Sequence, residues 1–392
     1  MPWRETSQEL ERVKFITALE TSEANFSELC RQFGISRETG YTWKRRFEEQ
    51  GVVGLADRPP LAHHHPNATA KAVEDRVVAV RKQHPTWGPK KVQAWLLANE
   101  PELQVPAAST VGDILKRRGL TAARKRRLRV PPGRVHLEAA TCPNALWTTD
   151  HKGSFRLLSG RCHPLTVNDA FSRFSLKCEA LTNTSEEAAW PHYEAAFREY
   201  GLPYRMRSDN GVPFATAHAL GRLSRLSVWW VKLGIELERI EPGHPEQNGA
   251  HERLHRTLEE AIEQDTYDLA EQQRRFDAFR RVYNHERPHE ALGMRTPASV
   301  YETSWRPYPA VLPESPAYHC EQTPRRVGPA GKLVWKGREF FLSKVLTGEV
   351  VALSELDDGR WRLQFGPVFL AVLDLRTVEG RLSFEEPIGP HA

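Results

Sequence analysis

The sequence predicts a multidomain chain in three parts: an all-α front, a mixed α/β core and a small all-β end. Three observations predict it. Apolar residues recur at helical spacing up to residue 120, strand-like and helical runs mix between 145 and 265, and short glycine-punctuated alternating runs follow from 325. At 392 residues the chain has room for roughly two to four domains with their own cores.

Residues 1–58 read as a first helix-turn-helix unit. Leu29, Cys30 and Phe33 share one helical face, Gly34 permits a sharp turn and Ile35 plugs it. Ser36 suits the N-cap of a following helix, whose Trp43 and Phe47 lie four residues apart. On that helix Arg37, Tyr41, Thr42 and Arg45 are the candidates to reach base edges or phosphates. Residues 59–69 read as a linker. Its His63-His64-His65, flanked by proline, reads as solvated rather than metal-binding.

Residues 70–120 read as a second helix-turn-helix unit. Val73, Val77 and Val80 form one stripe, Pro89 opens a helix bearing Val92, Trp95 and Leu96, and Val111, Ile114 and Leu115 form a third stripe. The last helix ends at Lys116-Arg117-Arg118-Gly119, where Gly119 suits the left-handed C-terminal position. Residues 121–140 form a basic linker whose Arg124, Lys125, Arg126 and Arg127 can follow a DNA backbone.

Charge separates the same regions. Residues 1–140 hold 24 Lys+Arg against 16 Asp+Glu, a net of +8; the rest hold 31 against 34, a net of −3. A basic front on a mildly acidic body points to nucleic acid at one end and metal-binding carboxylates at the other. Five scattered cysteines without Cys-x-x-Cys spacing argue against a zinc site or disulfide framework and for a reduced cytosol. No apolar run approaches the roughly 18 residues of a membrane span.

The core, residues 141–303, shows strand-like runs near 145–150, 163–169, 174–180, 204–208 and 237–240. Helical patterns lie near 185–200, 216–233 and 246–265, so a mixed five-stranded sheet with helices on both faces is expected. Trp229 and Trp230 read as packing residues. Three acids stand out. Asp150 closes a strand-like run before Lys152-Gly153, Asp209 meets the tight turn Asn210-Gly211, and Glu252 enters the first turns of a helical pattern. Hard carboxylates on two strand ends and a helix suit a pair of Mg²⁺ ions. Nearby Lys152, Asn210, His251, Arg253, His255 and Arg256 are candidate DNA contacts. After a linker at 304–324, residues 325–392 carry alternating runs separated by Gly337, Gly348, Gly359 and Gly366, a small β-barrel pattern.

The order Asp150, then Asp209-Asn210-Gly211, then Asn248-Gly249-x-x-Glu252-Arg253 with His255-Arg256-Thr257-Leu258 resembles the DDE integrase core of bacterial insertion-sequence transposases. Asn168 to Arg173 and Asn284 to His289 resemble further motifs of that family. The resemblance implies a ribonuclease-H-like core, an SH3-like terminal barrel, and metal-dependent cleavage and strand transfer on DNA. It implies that Asp150 bridges two Mg²⁺ ions, with Mn²⁺ able to substitute, while Asp209 holds one and Glu252 the other. Water first frees a 3′-hydroxyl, which then attacks target DNA, with no covalent enzyme intermediate. The implied partners are the element's terminal inverted repeats, target DNA and at least one further copy of the chain, in the bacterial cytoplasm at the nucleoid. Asp209 and Glu252 are separated by 42 residues, longer than the family's commonest spacing. Glu246, separated by 36, fits that spacing better but lies outside the Asn-Gly-x-x-Glu-Arg motif. Two other readings remain: a ribonuclease-H-like nuclease without joining activity, and a catalytically inactive DNA-binding regulator.

Overall fold

The computed structural model describes residues 7–21, 24–57, 68–121, 137, 139–216, 219–241, 244–262, 268–356, 359–376 and 381–384. The chain divides into two compact units, Met1–Thr69 and Ala70–Ala392. The histidine run at 63–65 and the basic run at 124–129 lie outside the described residues.

In the first unit, α1 (Gln8–Thr21), α2 (Phe26–Gln32) and α3 (Arg37–Gln50) close around Phe15, Ile16, Leu29, Cys30 and Leu55. Gly40 makes the packing possible, because a Cβ there would stand 2.7 Å from Cys30 Sγ. The Ser36 hydroxyl accepts the Thr39 N–H at 3.1 Å, so α3 is capped as expected. Ser36→Ala is expected to lower the stability of this unit by about 1 kcal/mol, measured by urea unfolding of the full chain.

The second unit opens with α4 (Lys71–Gln83), α5 (Pro89–Asn99) and α6 (Ala108–Arg117). The three expected stripes meet there: Val77, Val80, Val92, Leu96, Val111, Ile114 and Leu115 are all buried together with Trp87. Pro89 occupies the first turn of α5, and Gly119 is left-handed at φ +70° after α6.

The central sheet contains β1 (Leu146–His151), β2 (Phe155–Leu157), β3 (Gly160–Asp169), β4 (Ser175–Leu181), β5 (Arg205–Ser208) and β6 (Glu236–Arg239). Strand β3 lies antiparallel to β1 and β4, while β5 lies parallel to both β1 and β6. The five expected strands are present. The sequence reading omitted β2, a three-residue strand that forms a hairpin with the start of β3.

Helices cover both faces. On one, α7 (Glu186–Tyr200) and α8 (Arg225–Lys232) pack Tyr193, Phe197, Trp229 and Trp230 against Trp147, Leu165, Val167 and Met206. On the other, α9 (Gly249–Ala261) and α10 (Leu269–Arg281) pack Leu258 and Phe276 against Cys162, Cys178 and Ala180. Side chains alternate across a strand, so Trp147 and Thr149 face α7 while Thr148 and Asp150 face α9.

The expected SH3-like barrel is not observed as a closed barrel. Strands β7 (Thr323–Arg326), β10 (Val350–Glu355), β11 (Arg360–Phe365), β12 (Val368–Asp374) and β13 (Arg381–Ser383) form an open sheet in the order β13-β12-β11-β10-β7. A separate hairpin joins β8 (Lys332–Trp335) to β9 (Arg338–Phe341). The physical reason is tertiary. Val228 and Val231 of α8 enter the same apolar cluster as Leu353, Leu363 and Phe365, so the sheet buries its inner face against the core without closing on itself.

Candidate active site

Two of the three acids are brought together by strand pairing. In the parallel pair of β1 and β5, Thr148 stands opposite Arg207. Asp150 and Asp209 each lie two residues further on, at the same level and on the same face. Asp209 is then held by its own turn, its Oδ1 accepting the Gly211 N–H at 3.0 Å. The Asn210 amide donates to the Ile240 carbonyl at 2.6 Å and so ties this turn to the chain leaving β6.

Glu252 comes from the first turn of α9 and is exposed. The acid constant of Asp150 reports the proximity of all three. Burial pushes it up to about 7, and the charges of Asp209 and Glu252 push in the same direction. Among the described residues, no three His, Cys, Asp or Glu side chains stand close enough as they lie to hold a metal ion. Asp150 and Asp209 are adjacent, and Glu252 faces them across a more open gap.

A buried polar network holds α9 against the sheet. His251 Nδ1 meets Thr148 Oγ1 at 2.7 Å and accepts from the Asn168 amide at 3.1 Å. Its Nε2 meets Thr166 Oγ1 at 2.7 Å, and His255 Nε2 meets the same hydroxyl at 2.8 Å. The Thr166 hydroxyl in turn donates to the Asp150 carbonyl at 3.1 Å. With its one hydrogen committed there, Thr166 receives the other two bonds as acceptor, so both histidines carry the proton on Nε2. Burial holds the His251 acid constant well below its usual range and takes that of His255 down to about 4. Both rings are neutral at pH 7, and neither supplies charge to Asp150.

The network corrects one expectation. His251 is 2% exposed and His255 half-buried, so they position α9 rather than contact DNA. The sequence signal was faint: polar Thr148, Thr166 and Asn168 stand inside otherwise apolar strand runs. Replacing His251 with Leu leaves these groups unpaired and is expected to cost about 2–4 kcal/mol in urea unfolding.

Other candidates divide by their surroundings. Arg37, Tyr41 and Arg45 are exposed at helical spacing on α3, whereas the Thr42 hydroxyl bonds back to the Glu38 carbonyl at 2.9 Å. Lys116 is exposed, while Arg117 and Arg118 reach Glu74 at 2.7 and 3.1 Å. Lys152, mostly buried, donates to Glu259 at 2.8 Å beside the acids. Arg253 and Arg256 are exposed on α9. Arg124, Lys125, Arg126 and Arg127 lie outside the described residues.

Two motif acids or amides prove structural. Asp169 accepts from the Asn144 N–H at 2.7 Å and from the Ser172 N–H and hydroxyl at 2.7 and 2.6 Å. Asn284 clamps Ser175 by accepting its N–H at 2.8 Å and donating to its carbonyl at 2.9 Å.

The Integrase core domain family matches residues 233–297, a Homeodomain-like domain family residues 39–115, and a Helix-turn-helix domain family residues 11–61. The 39.2 kDa protein of insertion element IS476 from Xanthomonas euvesicatoria is 27% identical over 245 residues, 62% of this chain and 67% of its own length. The 31.7 kDa protein of insertion element IS407 from Burkholderia multivorans is 29% identical over 181 residues, 45% of this chain and 63% of its own length. The matched region thus spans about two thirds of these relatives. Among solved structures, a chain of the simian T-cell lymphotropic virus intasome in complex with PP2A regulatory subunit B56 gamma aligns with a TM-score of 0.36 and 15% identity, over 76% of this chain and all of that one. The HTLV-2 integrase catalytic core domain in complex with magnesium, in its trimeric form, aligns with a TM-score of 0.31 and 13% identity, over 41% and 99% of the two chains. No described helix is long and apolar enough to cross a membrane. With helix-turn-helix domains ahead of an integrase core, and with insertion-element proteins as relatives, the chain belongs to the insertion-sequence transposases with an integrase-like core.

Proposed function

We propose that this chain is a divalent-metal-dependent DNA transposase, which cuts phosphodiester bonds at the ends of a mobile element and joins the freed 3′-hydroxyls to target DNA. One observation carries the reading: Asp150 and Asp209 end neighbouring parallel strands at one level, with Glu252 near enough to raise the Asp150 acid constant.

The donor set fits Mg²⁺ or Mn²⁺. All three groups are hard oxygen donors, and the mutual repulsion of their charges is what a cation would relieve. Mg²⁺ keeps several waters and takes only one or two carboxylates with substrate phosphate, so the open gap to Glu252 is compatible with it. Asp150 would be shared by two ions, Asp209 would hold one and Glu252 the other. When bound, the ions would supply an activated attacking oxygen and charge neutralisation at the leaving oxygen.

The chain's own residues do the rest. The His251 network sets the height of α9 and thereby of Glu252, and Lys152 adds positive charge beside the acids. Arg37, Tyr41, Thr42 and Arg45 on α3, and Lys116, Arg117 and Arg118 after α6, would bind the element's ends. The run Arg124 to Arg127, together with Lys152, Asn210, Arg253 and Arg256, would lie along the backbone nearer the cut. Two ends reacting together require at least a dimer.

The test is incubation of the full chain with DNA carrying its gene and flanks, in Mg²⁺ or Mn²⁺. Cuts at defined ends, followed by joined products, are expected, and Asp209→Asn should reduce both by roughly 10³-fold, the equivalent of several kcal/mol. Cutting that persists in EDTA, or that survives Asp209→Asn, defeats the proposal. Cutting without joined products makes the chain a nuclease, and tight binding without cutting makes it a regulator.

A further inference from the structure

A second cluster of charged groups lies across α9 from the acids. Glu252, His255 and Glu259 project toward Asp150 and Lys152, whereas Ala250, Arg253 and Thr257 project the other way, into a cavity of about 300 Å³. Its wall comes from two parts of the second unit. Lys91 is on α5 of the helical domain, while Arg173, Arg253 and Arg287 belong to the core.

Four cations there face one lining carboxylate, Glu290. That carboxylate stands 3.9 Å from Lys90, a neighbour outside the lining. The nearest buried acid is also committed, because both Asp169 oxygens accept bonds from Asn144 and Ser172. Arg173 and Arg253 repel one another, and burial together with that repulsion holds the Arg173 acid constant below its usual range. Like charges gathered in a concavity are unfavourable unless an anion completes them. From the same two arginines the cavity opens into a wider groove of about 950 Å³ that adds Arg207 and Arg295.

We propose that the cavity walled by Lys91, Arg173, Arg253 and Arg287 is a phosphate-binding site, which takes a backbone phosphate of bound DNA and so ties the second helical domain to the catalytic core. Arginine forks match phosphate oxygens in pairs, and Lys91 adds a point charge from the opposite wall. The groove beyond carries the strand away from the acids. The inference rests on the transposase reading for its ligand but not on the chemistry of Asp150, Asp209 and Glu252.

The test measures binding without cleavage. Affinity of the full chain for DNA carrying its gene's flanks is followed in EDTA across a salt series, for the native chain, Arg253→Gln and Lys91→Gln. Both positions are on helix surfaces, and thermal unfolding checks that each variant folds. Arg198→Gln, exposed on α7, is the control for loss of one charge. If each variant loses one phosphate contact, its log–log salt slope falls by about 0.9 and its affinity at 0.15 M salt by about fivefold relative to the control. Variants that match the control overturn the site. Inorganic phosphate is the second probe: if it stabilises the native chain and not Arg253→Gln while DNA affinity is unchanged, the cavity takes a free anion and the DNA assignment is overturned. A native chain that cuts at element ends while both variants bind like the control overturns this site alone. A native chain that binds no DNA overturns the transposase reading with it.

Discussion

Glu252→Gln is expected to abolish DNA cleavage, by roughly 10³-fold or more, while leaving binding to the element's ends intact. Glutamine keeps the shape and one oxygen donor but removes the charge that a metal ion needs. Glu252 is exposed in the first turn of α9, so folding should be untouched. The same substitution at Glu246 is expected to leave most of the cleavage. Glu246 lies in the short turn Pro245–Asn248 ahead of α9, and the charges that raise the Asp150 acid constant are those of Asp209 and Glu252. Parallel cleavage and binding assays on the two variants decide between them. Loss of cleavage with Glu246→Gln alone would move the third ligand to that turn.

Asp150→Asn is expected to abolish cleavage as well, and at the same time to make the protein more stable at neutral pH. The Asp150 acid constant is raised from an ordinary carboxylate value to about 7. Between those two values the folded state holds a proton that the unfolded state has lost. Stability therefore falls as pH rises from about 4 to about 7 and is level above that. An amide cannot ionise and escapes this loss. The upper bound is about 4 kcal/mol for three pH units. Partial exposure of the carboxylate, 27% of the side chain, brings the expected gain nearer 1–3 kcal/mol. Urea unfolding at pH 5 and pH 8, without metal, checks it: the variant should exceed the native chain at pH 8 and converge with it at pH 5. Adding Mg²⁺ at pH 8 should stabilise the native chain more than the variant. A variant no more stable than the native chain at pH 8 would mean that Asp150 is not held under charge repulsion.

Local signals in this chain are strong where one residue type does one job. Ser36, Pro89 and Gly119 mark helix ends because a cap, a missing N–H and a left-handed turn are each chemistry of a few residues. The valine stripes of α4 and the paired tryptophans of α8 were legible as packing for the same reason, since helical spacing alone says which residues share a face. Asp150 and Asp209 were legible as strand-end acids.

Their adjacency was not. It depends on which strands pair and in what register, a choice made by the whole sheet, and Thr148 opposite Arg207 is what puts the two carboxylates side by side. The roles of His251 and His255 were hidden likewise. Both read as surface groups on a polar helix until Thr148, Thr166 and Asn168 arrive from other strands to pair with them in the interior.

By itself, then, the sequence determined the order of parts, the helix ends, the strand positions of the core and the three acids that its chemistry would use. Only the tertiary structure decided that Asp150 and Asp209 stand together, that His251 is buried, that four cations surround one cavity, and that the last sheet leans on α8 instead of closing. The physical reason is one of range. Capping, turn and periodicity preferences act within a few residues, whereas register, burial and charge clustering depend on surfaces that meet only when distant segments pack.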